Sequence, residues 1–385
     1  MDKVKLGIVG IGNMGTSHCR WILNGELPEV QLVAVADKRE ARRQWARENL
    51  DPSVVIYEDG DAMIEQADID AIIVAVPHYD HPYFVMKGLE CGKHVMCEKP
   101  AGVYTKQVEE MNDVAKKSDK VFAMMFNQRT NHVYRKMREL VQSGEYGQMM
   151  RMNWIITDWF RVQTYFDSGD WRATWNGEGG GVLMNQCPHN LDLLQWICGM
   201  PAKVQAFCHI GKWHNIEVED DVTAYLEFPN GATGVFVTST GDAPGTNRLE
   251  ITLERAKIVT DGETITMYEL EVSSREFCRT CPVVFDYPAG KYVPVETDGL
   301  NEQHPAVMRA FLGRILRGEP LVAEGIEGIN GLMLGNAMYL SSWLGKPVEL
   351  PVDGDLYLEM LNEKRRNSVK KQNVVEKMGD TEGTY

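Results

Sequence analysis

Short apolar runs alternate with amphipathic stretches over the first third of the chain. The apolar runs are uninterrupted and lie at residues 4–9, 30–36, 70–76, 94–97 and 121–126. Stretches with helical spacing lie between them, at 14–24, 38–49 and 82–91. Uninterrupted apolar strands that alternate with helices are typical of a parallel sheet covered on both faces. The pattern therefore predicts an α/β domain.

The pattern changes after about residue 126. A basic amphipathic helix is expected at 131–143, a strand at 149–157 and a helix from His189 to Cys198. Further strands are expected at 203–210, 221–228, 232–239, 249–253, 257–260 and 264–270, and further helices at 304–317 and 326–344. The Asn230–Gly231 pair is a strong hairpin signal. This half predicts a mostly antiparallel sheet with a few helices.

These patterns divide the chain into three parts. A chain of 385 residues is too long for one ordinary core and suits about two domains. We expect an α/β fold with one domain at 1–126. A second α/β domain with a large, mostly antiparallel, open-faced sheet is expected at 127–355. The last part, 356–385, is rich in charge and is expected to form a surface arm.

Composition and charge narrow the class of protein. Hydrophobic residues make up 44% and charged residues 25% of the chain, as in ordinary globular proteins. The net charge of -15 argues against a nucleic-acid partner, which attracts basic surfaces. No apolar run reaches the ~20 residues of a membrane span. The N-terminus also lacks a signal-peptide pattern, so we expect a cytoplasmic protein with no membrane partner.

The eight cysteines agree with a reducing compartment. They are scattered, and most lie in apolar stretches, which indicates buried thiols rather than disulfides. Only Cys278 and Cys281 form a tight pair. Because no second pair of cysteines or histidines stands at zinc spacing, we predict no metal site.

A glycine-rich turn joins the first strand to the first helix. Its sequence is Gly10-Ile11-Gly12-Asn13-Met14-Gly15. In this pattern the first glycine makes a tight turn, the second lets the backbone approach a pyrophosphate, and the third lets helix and strand pack closely. The free N–H groups and positive dipole end of the helix favour phosphate. The turn predicts a dinucleotide site, with packing alone as the alternative.

An acidic residue at the end of the second strand bears on the choice of dinucleotide. Asp37 stands 22 residues after Gly15, where a carboxylate would accept hydrogen bonds from a ribose. Its charge would repel the 2′-phosphate of NADP, whereas Lys38 and Arg39 would tolerate one. We predict NAD in preference to NADP.

A lysine follows the fourth apolar run, in Glu98-Lys99-Pro100. Ligands of open α/β sheets bind beyond the carboxyl ends of the strands. The Lys99 ammonium would there hydrogen-bond a substrate hydroxyl and favour a developing alkoxide. A surface pair of Glu98 and Lys99 is the alternative.

A second cluster extends from Gly179 to Asp192 and begins with three glycines. His189 stands at the head of a predicted helix and is a candidate general base. Asn185 precedes it by four residues. A capping or packing role is the alternative for His189.

Together these motifs resemble the glucose–fructose oxidoreductase, inositol dehydrogenase and rhizopine-catabolism family (Gfo/Idh/MocA). The matching positions are the Gly10–Gly15 turn, Asp37, Pro77, His81, Glu98-Lys99-Pro100, Arg129 and the Gly179–Asp192 segment. The resemblance implies a Rossmann domain, then an α/β domain whose sheet often mediates oligomer contacts. It implies hydride transfer between a sugar or cyclitol carbon and a nicotinamide.

The resemblance also implies roles for individual residues. Lys99 is the functional lysine, and His189 is the histidine that the family pairs with an aspartate four residues earlier. That position is Asn185 here, a departure, and an amide cannot take up a proton. We therefore expect Lys99 and His189 to do the acid–base work, while Asn185 positions a hydroxyl. The expected cofactor-binding residues are Gly10, Gly12, Asn13, Met14, Gly15, Asp37, Lys38, Pro77, His81, Glu98, Lys99 and Gln128.

Aromatic residues and arginines crowd the stretch from 154 to 175. The rings are Trp154, Trp159, Phe160, Tyr165, Phe166, Trp171 and Trp175, with Arg161 and Arg172 among them. Sugars stack their C–H faces on rings and bind guanidinium groups through hydroxyls. We expect two or three rings at the site and the rest in the core. The predicted substrate-binding residues are Arg129, Trp159, Arg161, Tyr165, Trp171, Arg172, Asn185 and His189.

The sequence thus predicts an NAD-dependent dehydrogenase that oxidises a ring hydroxyl, with C3 favoured, of a sugar glycoside. Three alternatives stay open: an inositol or free-sugar dehydrogenase, a glycosidase of the same fold that retains NAD, and a non-catalytic sensor. The sensor is disfavoured because Lys99 and His189 are both present. An open sheet face also predicts a homodimer or homotetramer.

Overall fold

A computed structural model describes residues 3–369, 371 and 374. Its first sheet has six parallel strands in the order β3-β2-β1-β4-β5-β6. These strands are β1 (Val4–Val9), β2 (Val30–Ala36), β3 (Val55–Tyr57), β4 (Ala71–Val74), β5 (His94–Cys97) and β6 (Phe122–Met124). The order steps outward from β1 in both directions, so β1 and β4 flank the point where it reverses. Ligands bind at such a point in open α/β sheets.

Five helices connect these strands. They are α1 (Asn13–Leu23), α2 (Glu40–Asn49), α3 (Gly60–Gln66), α4 (His81–Glu90) and α5 (Thr105–Ala115). The strands carry almost only apolar side chains, and residues such as Leu6, Ile8 and Ile72 are completely buried. The prediction of a parallel sheet covered on both faces is confirmed.

The second sheet has nine strands in the order β14-β13-β12-β11-β7-β10-β9-β8-β15. They are β7 (Met149–Ile156), β8 (Lys203–Ile210), β9 (Glu219–Glu227), β10 (Thr233–Ser239), β11 (Asn247–Leu253), β12 (Ala256–Thr260), β13 (Ile265–Leu270), β14 (Gly290–Val293) and β15 (Val348–Glu349). Among the described strands of this second sheet, only the β7–β10 pair is parallel. The predicted, mostly antiparallel sheet is confirmed, including the hairpin at Asn230–Gly231, where Gly231 adopts φ +84°.

Alternation along the strands separates a buried face from an open one. Trp154, Phe236 and Leu226 are fully buried. Their neighbours on the opposite face include Ile155 and Tyr225, which are 41% and 42% exposed. The helices of this half are α6 (His132–Gln142), α7 (Gln163–Asp167), α8 (Pro188–Cys198), α9 (Ser274–Thr280), α10 (Gln303–Arg317) and α11 (Gly328–Leu344). Within the described residues no helix is long and apolar enough to cross a membrane.

Two late helices complete the molecule. Helix α10 packs its Phe311 and Leu312 into the same cluster as Leu6 and Ile8 of the first sheet. The predicted charged arm from residue 356 begins inside α12 (Gly354–Arg366), in which Tyr357 and Leu361 are fully buried. After α12 the structure describes residues 367–369, 371 and 374, and the rest of the predicted arm lies outside the described residues.

Candidate functional site

The glycine turn leaves a cradle at the start of α1. A Cβ on Gly15 would lie 1.9 Å from the carbonyl oxygen of Gly10, and one on Gly10 would lie 2.4 Å from that of Ala75. A Cβ on Gly12 would meet no atom within 4 Å. No side chain caps α1. The backbone is therefore tight beneath the turn and open above Gly12, which fits a pyrophosphate at the helix N-terminus.

Asp37 lies beside this turn. Its Oδ2 accepts the backbone N–H of Ile11 at 2.8 Å, and its Oδ1 accepts that of Arg39 at 2.9 Å. The Lys38 side chain is exposed. The Arg39 guanidinium lies 3.6 Å from Asp170, which belongs to the stretch of aromatic residues and arginines at 154–175, called the ring-rich loop below. Because each carboxylate oxygen has a second lone pair, Asp37 retains the capacity to bind ribose hydroxyls.

Pro77, His81 and Gln128 lie beyond the carboxyl ends of β4 and β6. Pro77 precedes a short 3₁₀ turn, His78–Asp80. The two ring nitrogens of His81 lie 2.6 Å from the Pro100 carbonyl and 2.7 Å from that of Val76. His81 thus ties Pro100, which follows a cis peptide bond, to the segment just after β4. Gln128 Nε2 donates to Gln303 Oε1 at 3.5 Å.

The Glu98-Lys99 pair follows β5, as the sequence predicts. Glu98 is buried and its Oε1 lies 2.7 Å from His18 Nε2. Lys99 points the other way and donates from Nζ to the backbone oxygen of Asn185 at 2.9 Å. Burial lowers the pKa of Lys99, against the negative charges of Glu98 and Glu178. Lys99 therefore bridges the two halves of the molecule.

His189 lies in the first turn of α8 and is 4% exposed. Neither ring nitrogen has a hydrogen-bond partner in the described part of the chain. Burial holds its pKa well below the usual range, and the charge of Lys99 acts in the same direction. The ring is therefore neutral near pH 7 and able to accept a proton.

Asn185 lies between Lys99 and the ring-rich loop. Its Nδ2 donates to the carboxylate of Glu178 and, at 3.1 Å, to the hydroxyl of Tyr165. Glu178 is 2% exposed, and burial raises the pKa of its carboxyl. Glu178 stands directly before the three glycines but is not among the residues predicted for the site.

The ring-rich loop forms a stack beside these residues. The Arg172 guanidinium lies between the rings of Tyr165 and Trp171, at 4.7 Å and 4.6 Å from their centroids. The Arg161 guanidinium lies 5.4 Å from the Tyr165 ring and 5.8 Å from that of Trp159. Trp159 donates from Nε1 to Asn190 at 3.0 Å. Other rings of the stretch, Trp154, Phe166 and Trp175, are buried in the core.

Two protein-family models match long parts of the chain. A model described as an oxidoreductase family with an NAD-binding Rossmann fold matches residues 4–126. The model of the GFO/IDH/MocA C-terminal domain matches residues 134–259. The chain belongs to the GFO/IDH/MocA family. It is thus an oxidoreductase, and the predicted NAD-binding Rossmann domain is confirmed.

Individual proteins also resemble the chain over almost its whole length. Myo-inositol 2-dehydrogenase of Thermotoga maritima is 24% identical and covers 87% of this chain and 95% of its own. D-glucoside 3-dehydrogenase of Escherichia coli is 26% identical, covering 91% and 98%. The structure of the WlbA dehydrogenase of Chromobacterium violaceum with NADH and UDP-GlcNAcA has a TM-score of 0.78 at 27% identity, covering 92% and 97%.

Arg129, which is predicted to bind substrate, forms ion pairs with two carboxylates of the protein. It is 3% exposed, and its Nε and Nη2 donate to the two oxygens of Asp192 at 2.8 Å and 2.7 Å. Its Nη1 donates to Glu327 at 2.6 Å. Asp192 and Glu327 thus engage the Arg129 guanidinium in an ion-pair network, and the binding of substrate by Arg129 stays a prediction.

Proposed function

We propose that this chain uses NAD to oxidise a ring hydroxyl of a sugar glycoside, with C3 as the favoured carbon. The observation that carries the proposal is the meeting of Lys99, His189 and Asn185 beside a partly exposed stack of rings and guanidinium groups. Two of these residues are acid–base groups, and the stack suits a carbohydrate.

His189 acts as the general base in this proposal. Its ring is neutral because burial depresses its pKa, and both nitrogens lack partners among the described residues. A ring hydroxyl within hydrogen-bond reach would pass its proton to one of these nitrogens. The second nitrogen is left to hydrogen-bond the same substrate or water.

Lys99 stabilises the alkoxide that this proton transfer creates. Its ammonium is fixed by the hydrogen bond to the Asn185 carbonyl, which leaves two N–H donors for the substrate oxygen. Bound NAD would supply the hydride acceptor. The Gly10–Gly15 turn and Asp37 would hold its pyrophosphate and ribose, in keeping with the open space above Gly12.

The ring stack supports a glycoside rather than a bare monosaccharide. Trp159, Tyr165 and Trp171 are each partly exposed, so their edges remain available to the C–H faces of more than one sugar ring or of an aglycone. The relative named D-glucoside 3-dehydrogenase, 26% identical, supports C3 as the carbon.

A substrate panel tests the proposal. Methyl and aryl glucosides, disaccharides, free hexoses and inositols would be incubated with NAD, NADH followed by absorbance, and the keto carbon located by NMR. We expect NADH and a 3-keto product from the glycosides. Oxidation of free sugars or inositols alone would support the second candidate, which the inositol dehydrogenase relative favours. Released aglycone without NADH would support the glycosidase.

Two substitutions test the acid–base residues. We expect His189→Ala and Lys99→Met each to lower kcat roughly 100- to 10,000-fold, the usual contribution of a positioned acid or base. Binding of NADH, measured by fluorescence, should change little in His189→Ala because that residue contacts the substrate side. Near wild-type turnover in either variant contradicts the assigned roles.

A further inference from the structure

A carboxylate lies beside the amide that replaces the family's aspartate. Glu178 accepts a hydrogen bond from Asn185 Nδ2 through Oε1, and from the backbone N–H of Ala173 through Oε2 at 2.5 Å. Arg172 Nη1 lies 3.9 Å from Oε1. The site therefore contains a buried carboxyl group that accepts two hydrogen bonds, seven residues before position 185, although position 185 itself is an amide.

The hydrogen bonds of Asn185 determine which end of its amide faces a ligand. Both Nδ2 hydrogens are used, one by Glu178 and one by the Tyr165 hydroxyl. An ionised carboxylate only accepts hydrogen bonds, so the amide nitrogen must point towards it. Asn185 is partly exposed, and no described residue donates to its Oδ1. This oxygen is left to accept a hydrogen bond from a substrate hydroxyl.

The charge of Glu178 also acts on Lys99. Burial, Arg172 and Arg161 lower the pKa of the Lys99 ammonium, whereas Glu98 and Glu178 raise it. Glu98 is already engaged with His18 at 2.7 Å. Removal of the Glu178 charge would leave Lys99 beside two guanidinium groups with only one compensating carboxylate.

We propose that Glu178 is the positioning residue of this site. It holds the Asn185 amide with its oxygen towards the substrate, and it keeps the Lys99 ammonium charged. The inference rests on the proposed function, since it assigns Asn185 and Lys99 to substrate hydroxyls. Glu178 itself takes no part in proton transfer.

The groups around Glu178 affect the pKa of its carboxyl, and activity is therefore expected to depend on pH. Arg172, the Ala173 N–H, Asn185 and Lys371 lower the pKa of its carboxyl, against a larger effect of burial that raises it. His78 Nδ1 lies 3.2 Å from its backbone oxygen and is itself held neutral by burial. Protonated Glu178 would donate to Oδ1 and let the amide turn round. We expect kcat/KM to fall on the acid side as this happens.

Glu178→Gln tests the orientation of the amide. A glutamine has nearly the same shape but can donate to Asn185 Oδ1, which turns the amide nitrogen towards the substrate. We expect kcat/KM for the best substrate of the panel to fall roughly 10- to 100-fold, as for a lost hydrogen bond to a charged group. The acid limb assigned to Glu178 should disappear. If Glu178→Gln shows the same pH profile of kcat/KM as the wild type, the proposal is overturned.

A second substitution distinguishes orientation from simple loss of structure. Asn185→Asp alone places two carboxylates in contact, which disfavours ionisation of one of them. Asn185→Asp combined with Glu178→Gln restores a single negative charge. We expect the double variant to be several-fold more active than Glu178→Gln alone. If the loss of kcat/KM in the double variant equals the product of the losses in the two single variants, a shared role of Glu178 and Asn185 is contradicted.

The effect on Lys99 can be measured without any substrate. In protein labelled with ¹³C at lysine Cε, the Lys99 signal is identified by its loss in Lys99→Met and followed through a pH titration. Glu178→Gln should lower the pKa of Lys99 by about one unit. Glu217→Gln is the matched control, because Glu217 also accepts a backbone N–H, that of Trp175, at 2.8 Å. It should leave the titration unchanged.

These outcomes separate the two proposals. A wild-type protein that oxidises no glycoside contradicts the proposed function, yet the Lys99 titration still tests Glu178. Identical Lys99 titrations in wild type and Glu178→Gln overturn the inference, whatever the substrate is.

Discussion

At the residue scale, Asp37 holds part of the fold in place and is predicted to determine the choice of cofactor. It accepts the N–H groups of Ile11 and Arg39, so it fixes the glycine turn relative to the end of β2. Its negative charge lies where the 2′ oxygen of the adenosine ribose is expected. The charge favours a hydroxyl there and repels a phosphate.

Asp37→Asn should therefore change cofactor preference. The amide oxygen still accepts one hydrogen bond, but the repulsion of a 2′-phosphate is gone. We expect the ratio of kcat/KM for NADP to that for NAD to rise about tenfold, a free-energy difference of about 1.4 kcal/mol. Lys38→Ala, at the neighbouring exposed position, is the control and should lower that ratio or leave it unchanged. An unaltered ratio in Asp37→Asn argues against contact with the ribose.

The sequence predicted some of these residues and not others. Lys99, His189 and Asn185 stand in motifs, so their approach to one another could be predicted. Glu178 lies just outside the Gly179–Asp192 segment, and its contact with Asn185, seven residues later, follows no regular helix or strand spacing. The ion pairs of Arg129 could not be predicted either, because its partners Asp192 and Glu327 are 63 and 198 positions away in the sequence.

At the scale of elements, two glycines of the turn are expected to differ in role, Gly15 in folding and Gly12 in cofactor binding. Gly15 faces the Gly10 carbonyl across a gap that no Cβ fits, whereas Gly12 faces open space. We expect Gly15→Ala to destabilise the protein by about 2 kcal/mol or more. Gly12→Ala should keep the wild-type melting temperature and raise the Kd for NADH, because its methyl group occupies the space above the turn. Equal NADH affinity in Gly12→Ala and wild type would contradict a pyrophosphate at this place.

Strands with continuous apolar sequences were predicted almost to the residue, whereas some helices and short edge strands were missed. The runs at 4–9, 30–36 and 94–97 coincide with β1, β2 and β5. Helix α5 was missed because its apolar face consists of little more than Val108 and Met111. Short edge strands such as β3 bury too few side chains to leave a pattern.

Glu219 makes the segment before α8 sensitive to pH. It accepts the N–H groups of Gly181 and Leu183 and the hydroxyl of Tyr339, yet burial raises its pKa to about 7. Because this pKa lies above that of the unfolded chain, ~4.3, the carboxyl contributes stability at low pH that is lost as the pH rises to about 7. We expect Tm to fall between pH 5 and 7 more steeply in wild type than in Glu219→Gln. Parallel curves would contradict a raised pKa.

At the scale of the whole molecule, the open face of the second sheet predicts self-association. Phe207 on β8, Ile155 on β7 and Tyr225 on β9 lie on the same face of this sheet and expose 58%, 41% and 42% of their surface. We expect light scattering to give a dimer or tetramer and Phe207→Arg to weaken it, because the charge would be buried in an apolar contact. Tyr83→Arg, on α4, is the control. A wild-type monomer contradicts the prediction.

Helix α10 has a consequence for how the protein is made. Val307, Met308, Phe311 and Leu312 cover apolar side chains of the first sheet, which the chain completes some 180 residues earlier. Until α10 leaves the ribosome, the growing Rossmann domain carries an uncovered apolar patch. A fragment that ends at residue 126 should therefore aggregate or require a chaperone, while the same fragment supplied with a peptide of residues 303–317 should remain in solution. The cofactor domain is contiguous in sequence, but its hydrophobic core is not.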